Sequence, residues 1–203
     1  MKKNVFNLTL LTAIFCLGLL MSNLFGGKLI NVLGFTVAGA IVTYPLTFLT
    51  TDIIGEIWGK KEANDCVKIG VLIQVGFLIL GYLSLKIPSL QQTAYLQECL
   101  TAVLNQGARL TLASLGAFMV SQTMDVISFH WMKDKTGGKH KWLRNNVSTM
   151  SSQFIDTVIF VIIGFYGVVN NIWLMVFAQY LIKLILAALD TPFFYFFTRK
   201  RRT

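Results

Sequence analysis

The sequence predicts an all-α integral membrane fold of six transmembrane helices, with the N-terminus and the C-terminus both cytoplasmic. Three observations predict it. Of 203 residues, 55% are hydrophobic and 13% charged, about half the charged share of a soluble domain, and mean hydropathy is +0.64. The apolar residues gather in long runs near the roughly 20 residues that a helix needs to cross a hydrocarbon core. Lysine and arginine segregate between alternate connections, as the positive-inside rule requires.

Taken in chain order, residues 4–27, 29–51 and 69–85 carry no charged side chain, and they predict spans near 6–24, 32–55 and 67–86. A mixed stretch follows around Pro88 to Gln106. The run 110–132 is then interrupted only by Asp125, and 145–167 only by Asp156, predicting spans near 108–131 and 147–168. The last run, 173–198, holds Lys183 and Asp190 and predicts a sixth span near 173–197. All six belong to one polytopic domain over 1–203. Lys2 and Lys3 ahead of an apolar run resemble a secretion signal, but the length of the run and the lack of a small-x-small cleavage site keep it as a membrane helix.

With the N-terminus inside, fourteen lysines and arginines fall on the cytoplasmic side. Only Lys28, Lys86 and Arg109 fall outside, and Lys183 lies within a span. That asymmetry sets the orientation and places the chain in the cell inner membrane as a multi-pass protein. It also accounts for the net charge of +9 by topology and attraction to the anionic lipid bilayer, with no nucleic-acid partner. Trp58, Trp131, Trp142 and Trp173 sit near span ends, where amphipathic rings favour the headgroup level.

Several chemistries lack their residues. Cys16, Cys66 and Cys99 are odd in number and form no Cys-x-x-Cys pair, and His130 and His140 have no ligand spacing, so no disulfide framework, metal or cofactor is expected. No phosphate loop, nucleophile triad or intramembrane protease signature occurs. The chain reads as a carrier or binder of a small polar solute, not an enzyme.

The informative residues are polar ones within the spans. A charge at the bilayer centre costs at least about 2.5 kcal/mol, so such residues face protein or a wet cavity. Asp52, Asp125, Asp156, Lys183 and Asp190 meet that description, and Glu56 follows Asp52 one turn later, on the same face. Ser121-Gln122-Thr123-Met124-Asp125 is echoed by Ser152-Gln153-Phe154-Ile155-Asp156. Each places Gln122 with Asp125, or Gln153 with Asp156, on one helix face. If the fourth and fifth spans are antiparallel neighbours, the two faces can converge on a planar solute with adjacent N–H donors, such as a nucleobase or pterin edge. The plainer reading is interhelical bonding, worth about 0.6 kcal/mol per contact. Lys183 reads as a donor to a ligand carbonyl, a counter-ion to Asp156, or a partner of Asp190. Arg109 stands at an outer mouth, where it binds solute or snorkels. Pro45 and Pro192 read as breaks in the second and sixth spans, close to Asp52 and Asp190. These prolines do not correspond under a three-plus-three division, so an inverted repeat gets no support.

The segments Asn23-Leu24-Phe25-Gly26-Gly27-Lys28 and Tyr44-Pro45-Leu46-Thr47-Phe48, with Asp52-Ile53-Ile54-Gly55-Glu56-Ile57-Trp58-Gly59-Lys60-Lys61 just beyond, closely resemble the queuosine precursor transporter family, formerly grouped as vitamin uptake transporters. The stretches 109–125, 144–156 and 183–192 look like the remaining blocks, so the resemblance covers most of the chain. It adds Asn23 to the candidate binding residues. It implies uptake of a small-molecule 7-deazapurine (7-cyano- or 7-aminomethyl-7-deazaguanine, or queuine) for salvage into tRNA queuosine, and a homodimer is compatible with it. The alternative it leaves open is a substrate-binding membrane subunit of an energy-coupling-factor-type vitamin importer. The first span lacks a clear Ala-x-x-x-Ala contact motif for such a partner.

Overall fold

The computed structural model of the chain describes residues 3–135 and 141–198. Among the described residues the order is α1 (Val5–Gly26), β1 (Leu29–Val32), β2 (Phe35–Ala38), a 3-10 turn (Gly39–Val42), α2 (Tyr44–Ile57), α3 (Lys60–Leu85), a second 3-10 turn (Gln91–Thr93), α4 (Ala94–Lys135), α5 (Lys141–Phe165) and α6 (Ile172–Thr198). Asn4 starts α1 by accepting the Asn7 N–H at 2.8 Å, which satisfies one of the free donors of a first turn. The two helices α1 and α3 are long and apolar enough to cross a membrane, and Met150–Phe165 and Ile172–Leu186 are shorter apolar segments.

One expected element is corrected. A continuous helix over 32–55 does not form: the chain makes a two-stranded hairpin over residues 29–38, and only Tyr44–Ile57 is α-helical in this region. The turn is Leu33 and Gly34, with φ of 51° and 88°, the two positive values that a tight two-residue hairpin connection demands. Pro45 stands in the first turn of α2, where its missing N–H costs nothing and its fixed φ suits the helix. It therefore starts a helix instead of kinking one. The mixed stretch after Pro88 is also helical from Ala94, so α4 runs for 42 residues.

The chain packs as two compact units. The first comprises residues up to 31, 37–108 and those from 183 on, and the second comprises 32–36 and 109–182. In the first, Leu11, Phe15 and Cys16 of α1 close on Ile53 and Ile54 of α2 and Cys66 of α3, edged by Leu8, Leu19, Leu49 and Val67. Gly70 lets α1 and α3 approach, because a Cβ there would lie 2.5 Å from Phe15 Cε1 and 2.6 Å from Leu19 Cδ1. Gln74 Nε2 donates to Leu19 O at 3.4 Å along the same seam. In the second unit, Leu110, Ala113 and Ala117 of α4 are buried, as are Val161 and Phe165 of α5 and Met175 and Val176 of α6. Gly164 makes room for Leu110, whose Cδ2 would be 2.9 Å from an added Cβ.

The outward surface is apolar. Leu72, Leu80, Leu112, Met119 and Phe177 are all more than half exposed, an arrangement that suits hydrocarbon and not water. Lipid provides no hydrophobic drive between helices, so association depends on close packing and small residues such as Gly70. Substituting Gly70→Val is expected to destabilise the protein by about 1–3 kcal/mol, whereas Gly76→Val on the same helix, where no atom lies within 4 Å of an added Cβ, should stay within about 0.5 kcal/mol. Thermal unfolding in detergent, side by side, measures the difference.

Candidate functional site

Two constellations of polar side chains stand out, one in each unit. The first is a face of α2. Its threonines are occupied internally: Thr47 Oγ1 donates to Tyr44 O at 2.7 Å and Thr50 Oγ1 to Leu46 O at 2.6 Å. Thr43 Oγ1 pairs with Ser22 Oγ of α1 at 2.8 Å. With Thr47, Thr50, Ile53 and Ile54 turned into the core, the other side of the helix carries Tyr44, Phe48, Asp52 and Glu56 at successive four-residue steps. Tyr44 and Phe48 meet edge to face at 4.7 Å, and the Lys183 ammonium lies 5.3 Å from the centroid of the Tyr44 ring, a cation–π distance. Phe48, Asp52 and Glu56 are exposed. One face of α2 thus carries two aromatic rings and two carboxylates, with a cation of α6 over the first ring.

The second constellation is on α5 and α6. Gln153 and Asp156 are half-buried on α5, with Ser152 and Thr157 buried beside them. Thr157 Oγ1 returns to Gln153 O at 2.8 Å. Phe154 meets Tyr180 of α6 edge to face at 5.3 Å, and Tyr180 Oη donates to Met150 O at 3.3 Å. The amide and the carboxylate thus share one face of α5, and the aromatic pair lies at the same level of the helix on another face. A carboxylate and an amide on one face can accept adjacent N–H donors from a flat ring.

Arg109 is occupied in another way. Its Nε donates to Ile163 O at 2.8 Å and its Nη2 to Tyr166 O at 2.7 Å, so the guanidinium serves carbonyls left over at the C-terminal end of α5, where they have no helical partner. Snorkelling and solute binding were the expected roles. The helix-end contact accounts for the residue without a ligand. Asn23 is half-buried on α1, with its carbonyl oxygen 3.7 Å from the position of a Cβ on Gly107. The side chains of Gln122, Asp125 and Asp190 lie outside the described residues, and with them the convergence expected of the two Ser-Gln-x-x-Asp segments. Among the described residues no group of three His, Cys, Asp or Glu side chains could hold a metal ion.

Sequence reasoning weighs Phe48 as an aromatic that could stack on a base without counting it as a site, and it passes over Tyr44, Tyr180 and Gln179. Four-residue spacing from Asp52 was the available signal for Phe48 and Tyr44. No local signal marks Gln179, which is 6% exposed and whose Nε2 lacks a hydrogen-bond partner.

Helices sheathed in outward leucines and phenylalanines, with carboxylates and amides held among them, describe a helical membrane protein of the solute-transport class. The chain belongs to the family described as "Putative vitamin uptake transporter", which matches residues 38–197. Among its relatives is a protein of Bacillus subtilis (strain 168) named "Probable queuosine precursor transporter", 33% identical over 175 residues, covering 83% of this chain and 74% of the relative. A Haemophilus influenzae protein of the same name is 31% identical over 127 residues, covering 62% of this chain and 50% of the relative. No solved structure matches. The family resemblance read from the 23–28 and 44–61 segments is borne out.

Replacing Arg109 by Ala is expected to cost about 1.5–3 kcal/mol, since hydrogen bonds from a charged donor are lost. Arg109→Lys should recover only part of that, because an ammonium cannot reproduce the planar fork. Detergent unfolding of the two variants, compared with their residual transport, checks that transport falls in step with stability.

Proposed function

We propose that this chain imports a queuosine precursor, a free base of the 7-deazaguanine class, across the cytoplasmic membrane, working alone as a six-span transporter with both termini cytoplasmic. The names of the two relatives support the substrate class. The observation that carries the reading is the half-buried Gln153–Asp156 turn of α5, at whose level along the helix the Phe154–Tyr180 pair also lies. A guanine-type edge presents a ring N–H and an exocyclic amine side by side, and one carboxylate accepts both as parallel hydrogen bonds. The flat ring meanwhile finds aromatic faces. Asp52 and Glu56 on α2 are the carboxylates of the first unit that we assign to the solute path. Transport releases the base unchanged, so no residue receives a catalytic role.

The six-span reading must accommodate the short α2. At 1.5 Å per residue its 14 residues extend about 21 Å, less than a hydrocarbon core of about 30 Å. The preceding 3-10 turn of four residues adds about 8 Å. Turn and helix together make the second crossing, broken at Thr43, with the hairpin of residues 29–38 at the outer surface. Broken crossings are tolerated where the interrupted backbone is covered by protein or lines a wet cavity, and transporters place solute sites at such breaks.

Purified protein in liposomes is expected to take up radiolabelled 7-cyano-7-deazaguanine saturably. Asp156→Asn should reduce uptake about ten-fold or more, the scale of a charged hydrogen bond. Phe154→Ala should raise the half-saturating concentration at least several-fold, since stacking on a base is worth about 1–3 kcal/mol. The outward-facing Leu72→Ala serves as the neutral control. Binding without uptake would instead identify a subunit that depends on an energy-coupling partner. Neither binding nor uptake would refute the substrate class.

A further inference from the structure

Gln179 sits on the side of α6 that it buries with Met175 and Val176, at 6% exposure. Among the described residues, its Nε2 is the buried side-chain nitrogen with no hydrogen-bond partner. Two other glutamines differ: Gln74 donates to Leu19 O and Gln97 to Leu85 O. In an apolar surround an unmet N–H donor is destabilising, and leucine or methionine in its place would carry no such cost. An amide kept there without a partner is suited to one that arrives.

Its depth says which partner. Tyr180, the next residue along α6, meets Phe154 and Met150 of α5. One residue is about 1.5 Å along a helix, and the short connection between Phe165 and Ile172 makes the two helices run in opposite directions. Gln179 therefore lies at the depth of the Gln153–Asp156 turn. On a guanine-type edge the ring N–H and the exocyclic amine are followed immediately by the ring carbonyl. A carboxylate that takes the two donors cannot serve the carbonyl, because it has no proton to give. The next group along the edge needs a donor, and the unpartnered buried donor at that depth is Gln179 Nε2.

Building on the substrate class proposed above, we infer that Gln179 is a recognition residue that donates from Nε2 to the six-membered-ring carbonyl of the base. It thereby distinguishes oxo-purine-type solutes from analogues without that oxygen.

The test compares wild-type protein with Gln179→Leu and Gln179→Met in liposomes, with uptake of labelled 7-cyano-7-deazaguanine competed by unlabelled 7-deazaguanine or by 2-amino-7-deazapurine. The latter lacks the carbonyl and with it the ring N–H, so that the change in preference between wild type and variant, not the preference itself, reads the Gln179 contact. Wild-type protein should favour the oxo compound. In both variants that preference should shrink about ten-fold, while thermal stability is kept or raised. Unchanged preference in a folded variant overturns the inference and leaves the substrate class standing. Loss of folded protein in both variants also overturns it, since an amide that holds the fold together is not one awaiting a ligand. If wild-type protein neither binds nor carries the labelled base, the substrate class fails, and the inference fails with it.

Discussion

Backbone carbonyls and N–H groups inside an apolar surround must find partners within the protein, because no water is there to take them. Several of the described polar side chains answer that demand. Thr47, Thr50 and Thr51 return their hydroxyls to carbonyls of their own helix. Gln74 reaches Leu19 O, Gln97 meets the carbonyl of the last residue of α3, and Arg109 meets two carbonyls at the end of α5. A helical membrane protein has spare acceptors at its helix ends, and donors placed against them are structural. This logic separates the roles of residues that look alike in a polar-residue count. Carboxylates cannot do such work, since an ionised carboxylate only accepts. Asp52, Glu56 and Asp156 are thus the side chains in these constellations that can accept hydrogen bonds but not give them.

The same demand shapes α2. A half-length helix is stable here because Thr43, bonded to Ser22, holds its start against α1, and because Thr47, Thr50, Ile53 and Ile54 are packed into the core of the first unit. Burying that side leaves the opposite one for Tyr44, Phe48, Asp52 and Glu56. Close approach of α1 and α3 at Gly70 completes the arrangement without large apolar knobs, as expected where lipid already solvates leucine and only packing and hydrogen bonds hold helices together. In the second unit, Gly164 plays the equivalent part by admitting Leu110.

Much of this was legible in the sequence. The runs over 4–27 and 69–85 became α1 and α3, and those near 145–167 and 173–198 became α5 and α6, because hydropathy and length are what a bilayer selects on. The family was legible from the motif around Tyr44 to Lys61. So were the carboxylates within apolar stretches, since cost alone marks them. The hairpin was not. The uncharged run 29–51 has the hydropathy of a span whether it folds as strand or helix, and the turn depends on positive φ at Leu33 and Gly34, a backbone state that a leucine does not advertise.

By itself, then, the sequence determined that this is a helical membrane protein of a transporter family, and which ionisable residues lie within its apolar stretches. Solvation energy is additive along a chain and needs no knowledge of neighbours. Only the tertiary structure decided that Pro45 begins a helix, that Arg109 serves carbonyls 54 and 57 residues away, and that Gln179 is buried without a partner while Gln74 has one. Hydrogen bonding is directional and short-ranged. Whether a polar group is satisfied depends on which atoms the fold brings within about 3 Å of it, and no property of the residue alone contains that.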